Sequence, residues 1–117
     1  MSSTVFGVAY DAADAAVAAR FWAAALGRTV AAGADSAHAV VEAADIASSG
    51  PRLAFHQVPE GKTVKNRVHF DLITSDFDRE LDRLVRLGAT KRHEIAAGAH
   101  WVTLAAPEGN EFDLIKG

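Results

Sequence analysis

The sequence predicts an α+β fold: two βαβββ modules whose mixed and antiparallel strands curve into a cup. Three observations carry this. Helix patterns at 14–26 and 76–87 are each preceded by one strand pattern and followed by three. A shift of 62 residues lays His38-Ala39-Val40-Val41-Glu42-Ala43-Ala44 on His100-Trp101-Val102-Thr103-Leu104-Ala105-Ala106, Gly7 on His69 and Asp14 on Asp76. Both helices also end in Leu-Gly, at Leu26-Gly27 and Leu87-Gly88, as duplicated units would. The 117 residues are read as one domain, with module one at 4–58, a polar linker at 59–66 and module two at 67–116.

Each element has its own reason. Residues 4–10 are apolar and β-branched and stop at Asp11, as a strand does. Asp14 can accept from the free N–H groups of the next helix, Val17 and Phe21 share one face of it, and Gly27 suits a left-handed end. Strands are expected at 28–33, 37–43 and 52–58, separated by Gly-Ala-Asp-Ser and Ser-Ser-Gly-Pro turns. In the second module a strand at 67–73 leads into a helix with Phe77, Leu81, Leu84 and Val85 on one face, a capping box from Ser75 to Asp78, and Gly88 at its end. Strands at 90–96, 99–105 and 111–116 follow. For the last strands the internal repeat shortens to 57 residues, laying Phe55 on Phe112 and His56 on Asp113.

Composition narrows the partners. With 12 Lys and Arg against 15 Asp and Glu the net charge is −3, which argues against a general nucleic-acid binder. The absence of cysteine excludes disulfide and thiol chemistry. No apolar run approaches the roughly 18 residues of a membrane span, and Met1-Ser2-Ser3-Thr4 lacks the features of a secretion signal, so a cytoplasmic protein with a small-molecule partner is expected.

Side-chain alternation then selects candidates, because successive strand residues face opposite sides. In Val68-His69-Phe70-Asp71-Leu72 the apolar residues belong under the helix, so His69 and Asp71 face the cup. The same logic turns His56, Asp113 and Gly7 to that face, with Trp101 and Thr103 as ligand-contacting residues. His69, Asp113 and His56 form a candidate metal set of two imidazoles and one carboxylate, which suits Zn, Ni, Co, Mn or Fe. Asp71 is placed to move a proton, and Glu111 is read as lying off this face. Lys62, Lys65 and Arg67, the one basic cluster, could steer an anionic substrate, pair with Asp71 across the sheet or hold the module junction. His93 is assigned to a polar, loop-proximal stretch and His100 to the packed face.

The paired modules, Asp14 followed by Ala-Arg-Phe-Trp-Ala-Ala-Ala-Leu-Gly at 19–27, Lys65-Asn66-Arg67-Val68-His69-Phe70-Asp71-Leu72 and Pro107-Glu108-Gly109-Asn110-Glu111-Phe112 resemble the vicinal oxygen chelate superfamily, and within it the glyoxalase-like domains common in actinobacteria. The resemblance spans nearly the whole chain. It implies two four-stranded sheets around a cup, a glyoxalase, bleomycin-resistance or dioxygenase type of fold, and a homodimer. In the metalloenzymes of this superfamily the first and last strands of each module supply the ligands. Here His69 matches, Asp113 stands for the usual glutamate, His56 for a glutamate or glutamine, and Gly7 for a histidine.

Two functions follow as expectations. One is a domain that binds a small molecule in its cup without metal, stacking it on Trp101, with Gly7 widening the cavity. The other is a divalent-metal-dependent lyase, isomerase or dioxygenase that stabilises an enediolate-type oxyanion.

Overall fold

A computed structural model describes residues 2–43, 50–96 and 100–117, which fall into two compact units, 1–61 and 62–117. The division falls inside the linker expected at 59–66.

The first unit contains β1 (Gly7–Ala12), α1 (Ala15–Leu26), β2 (His38–Val41) and β3 (Arg52–Gln57). Its sheet runs β1-β3-β2, with β1 parallel and β2 antiparallel to the central β3. Asp14 caps α1 by accepting from the Val17 N–H at 3.2 Å, and Gly27 ends it at φ 64°, where a side chain would be strained. Alternation along the strands buries Leu53, Phe55 and Val41 beneath the helix, where Trp22 is fully buried and Tyr10 stacks between Trp22 and Phe55. Burying side chains of this size contributes about 1.5–3 kcal/mol each before cavity effects. The strand expected at 28–33 is reduced to a single bridge from Val30 to Val41. The first strand starts at Gly7 rather than residue 4, leaving Val5 and Phe6 exposed. The turn residues expected at 48–49 lie outside the described residues.

The second unit repeats the plan with β4 (Asp71–Thr74), α2 (Phe77–Leu87), β5 (Thr90–Ile95), β6 (Trp101–Ala105) and β7 (Glu111–Lys116), in sheet order β4-β7-β6-β5. β4 runs parallel to β7, and the other neighbours are antiparallel. Phe77 and Leu84 of α2 are buried, as are Val102, Leu104, Phe112 and Leu114 of the sheet. Val85, expected on the packed face, is 45% exposed. The capping box from Ser75 does not form. Asp76 is the N-cap without a side-chain cap, and its own N–H donates to Thr74 Oγ1 at 3.3 Å. The strand predicted from residue 67 begins only at Asp71, and Val68, expected under the helix, is 74% exposed. The start of the sixth strand at Ala99 lies outside the described residues.

The N-caps Asp14 and Asp76 confirm a 62-residue offset between the two β-α steps. Strand pairing then corrects the offset of the last strands. Ala9, the counterpart of Asp71, pairs with Ala54, whereas Asp71 pairs with Asp113, so Ala54 and not His56 is the counterpart of Asp113. His56 corresponds instead to Ile115, one rung further along.

Candidate functional site

The face of the second sheet turned away from α2 carries two cross-strand rows. Asp71 pairs with Asp113, Asp113 with Thr103, and Thr103 with His93. One rung away, Ile73, Ile115, Trp101 and Ile95 pair in the same order. A polar row therefore lies beside an apolar row, because period-2 alternation gives every strand one residue of each on this face. The register comes from the β6–β7 turn. The Ala106 N–H donates to Asn110 O, the Gly109 N–H donates to Ala106 O, and Gly109 has φ 95°.

The polar row ends in a cluster of donors. One ligand atom from each of His69, Asp71 and Asp113 falls within 4.8 Å of the other two. His69 Nδ1 lies 3.0 Å from Asp71 Oδ1, and the Thr103 hydroxyl donates to Asp113 Oδ1 at 2.6 Å. His69 precedes β4 rather than standing on it, and the Asp113 N–H donating to Phe70 O at 2.9 Å ties that lead-in to β7. One imidazole and two carboxylates, all partly exposed, are hard and borderline donors of the kind that hold Mn, Fe(II) or Zn, so these residues fit a divalent ion.

Beside the cluster opens a cavity of about 530 Å³. Its wall includes His69, Asp113, Thr103 and Trp101, four of the residues singled out from the sequence, together with Lys65 of the basic cluster. It also includes Glu111, read from the sequence as lying off this face. Residues 111 and 113 are two apart on one strand and so share a face. The Glu111 carboxylate accepts from Lys62 Nζ at 2.9 Å and from the Asn66 N–H at 3.1 Å, and these bonds hold its pKa below the ordinary glutamate range, the Lys62 bond being the larger cause. Asn66 closes the loop by accepting from the Glu111 N–H and donating to Asn110 Oδ1.

Asn66 lines the wall too, and Arg92, His93 and Ile95, none of them selected from the sequence, complete it. The β5–β6 register shifts between Lys91 and His93, placing a bulge at Arg92. Nothing in Thr90-Lys91-Arg92-His93-Glu94 signals that irregularity, although His93 and Ile95 have the same parity and could have been paired with Trp101 by alternation. His100, expected on the packed face, is half-buried. Its ring lies 4.3 Å from that of Phe77, and its Nε2 is 2.9 Å from Glu94 Oε2.

His56 and Gly7 belong to the first unit. His56 is exposed on β3 between Asp11 and its cross-strand partner His38, with the two imidazole centroids 5.0 Å apart. Gly7 faces Arg52. A Cβ built at position 7 would lie 2.9 Å from Arg52 Cγ and 3.1 Å from Arg52 O. The Arg52 side chain lies against the space that glycine leaves, with its guanidinium 5.1 Å from the Phe6 ring centroid.

Residues 7–115 match the family described as Glyoxalase-like domain. A search of curated proteins found no significant match. Among solved structures, the fosfomycin resistance protein FosX from Mesorhizobium loti superposes with a TM-score of 0.73 at 17% identity, covering 100% of this chain and 94% of that one. FosX from Listeria monocytogenes, a mutant complexed with Mn(II) and 1S,2S-dihydroxypropylphosphonic acid, gives 0.74 at 13%, covering 100% and 92%. Lactoylglutathione lyase from Agrobacterium tumefaciens gives 0.65 at 15%, covering 100% and 96%. Among the described residues no helix is long and apolar enough to cross a membrane. The chain has the vicinal oxygen chelate fold and belongs to the glyoxalase-like domain family.

Proposed function

We propose that the open face of the second unit binds a small oxygen-bearing molecule beside a divalent cation held by His69, Asp71 and Asp113. The observation that carries this is the convergence of three donor atoms within 4.8 Å at the edge of a 530 Å³ cavity. The Mn(II) bound to Listeria FosX, a protein of the same fold, supports it.

A bound cation would supply Lewis acidity toward neighbouring ligand oxygens. The chain's own residues do the rest. An Nδ1–H donated by His69 to Asp71 leaves Nε2 as the lone-pair nitrogen, fixing the tautomer and the ring. Thr103 holds one oxygen of Asp113 and so orients the other. With one oxygen on His69, Asp71 offers its second oxygen to the cation, and to a proton where the site holds no ion. His56 stands apart from this cluster, on the first unit's own sheet beside His38.

The test is titration of the metal-stripped protein with Mn(II), Fe(II), Co(II), Ni(II) and Zn(II), followed by calorimetry and by melting. One ion per chain, with binding abolished in His69→Ala, is expected. Full binding retained in that variant would overturn the proposal.

A second reading, a metal-free ligand pocket, is favoured by one observation: Trp101 and Ile95 form an apolar wall beside the polar row. It expects an aromatic ligand to quench indole fluorescence in EDTA and Trp101→Ala to weaken that ligand. We infer a homodimer as well, the commonest symmetric assembly, which sedimentation equilibrium would test.

A further inference from the structure

The charges around this cavity are not evenly partnered. Its two wall acids are both engaged by the protein, Asp113 by Thr103 and Glu111 by Lys62 and the Asn66 N–H. Of its cationic and imidazole groups only His69 is engaged, by Asp71. Lys65, Arg92 and His93 line the same cavity, and their side chains make no hydrogen bond or ion pair among the described residues.

Arg92 owes its position to backbone irregularity. In a regular strand, residues 92 and 93 would project to opposite faces, and Arg92 would stand on the α2 side with Lys91 or Glu94 displaced accordingly. The register shift between Lys91 and His93 makes Arg92 the extra residue of a β-bulge, and both Arg92 and His93 then line the cavity. Bulges re-aim side chains in this way beside functional sites. A guanidinium offers paired N–H groups that match the geometry of a carboxylate or phosphate.

We propose that Arg92, with Lys65 and His93, receives an anionic oxygen group of the ligand while Trp101 and Ile95 receive its apolar or aromatic body. The ligand class is a small aromatic or apolar molecule carrying a carboxylate or phosphate. This rests on the cavity being the ligand site, and it deepens that reading without needing the cation.

The test is calorimetric titration of the full chain with benzoate, phenyl phosphate and the neutral benzamide, in EDTA and again with Mn(II), at low and high salt. The anionic probes should bind about ten- to a hundredfold more tightly than benzamide in EDTA, as expected for a charge-assisted contact. The preference should fall by about tenfold in Arg92→Ala and by less in Lys65→Ala, and it should weaken with salt. Melting curves matching the parent would confirm that both variants are folded, and Arg92→Lys, which keeps charge but loses the fork, should recover part of the preference. Equal binding of benzoate and benzamide would overturn the proposal, as would an unchanged preference in Arg92→Ala. A preference that appears only with Mn(II) and vanishes in His69→Ala would also overturn it, because the anion would then be a ligand of the metal, while the metal reading would stand. A preference persisting in a protein that binds no metal would leave this inference standing and remove the metal reading.

Discussion

Thr103 and Asp113 are cross-strand partners on β6 and β7, and the threonine hydroxyl donates to the aspartate at 2.6 Å. Asp113 is one methylene shorter than a glutamate, so its reach is limited and its orientation matters more. Removing the hydroxyl in Thr103→Val should leave the fold intact and weaken metal binding by roughly 10–100-fold, the usual effect of losing a group that orients a ligand. Calorimetric titration with Mn(II) checks this, and unchanged affinity would show that Thr103 does not orient Asp113.

Gly7 and Arg52 make a second prediction. Introducing the expected ligand alone, as Gly7→His, sets its Cβ 2.9 Å from Arg52 Cγ. That crowding should cost about 1–3 kcal/mol, typical of overpacking. Combining Gly7→His with Arg52→Ala should recover most of the loss, which paired urea denaturation curves would measure.

The two helix starts should respond differently to truncation. Asp14 accepts from the Val17 N–H, so Asp14→Ala should destabilise by about 1 kcal/mol. Asp76 makes no side-chain cap, and Asp76→Ala should cost only a few tenths of a kcal/mol from lost helix-dipole attraction. Equal midpoints for the two variants in urea would contradict the structural difference.

Glu111 gives a pH prediction. Its pKa is lowered in the folded protein by Lys62 and the Asn66 N–H, so the folded state binds fewer protons there than the unfolded state. The stabilisation is therefore complete above the unfolded value of about 4.3 and is lost as pH falls through the folded pKa. Wild type should exceed Glu111→Gln in stability at pH 6, and the gap should close progressively below about pH 5. Denaturation midpoints measured at half-unit pH steps would show this, and a constant gap would refute it.

How much of this was legible in the sequence depended on how local the signal was. α1 could be bounded by Asp14 and Gly27 because caps and left-handed ends are residue-specific, and both act there as expected. The burial of Phe112 and Leu114 and the outward turn of Asp113 followed from alternation alone. Where alternation continued past the end of a strand it misled, as at Val68, since hydrophobicity marks a face only where a sheet exists to define one. The pairing of Thr103 with Asp113 depends on the length of the turn through Gly109, and the sequence shows the turn without stating its register. The bulge at Arg92 left no trace because its neighbours are uniformly polar. The offset that matched His56 to Asp113 relied on a Phe-x pattern, which strand pairing replaces with Ala54 opposite Ala9.

Chain length at Arg92 also has a meaning that substitution cannot reveal. Elsewhere in these strands, deleting one residue would turn every following side chain inside out. At a bulge the extra residue is already out of step, with Lys91 opposite Leu104 and His93 opposite Thr103 on either side of it. Excising Arg92 would let β5 close into an uninterrupted ladder with both flanking pairs kept, so here the chain can lose one residue and one charge without losing the sheet.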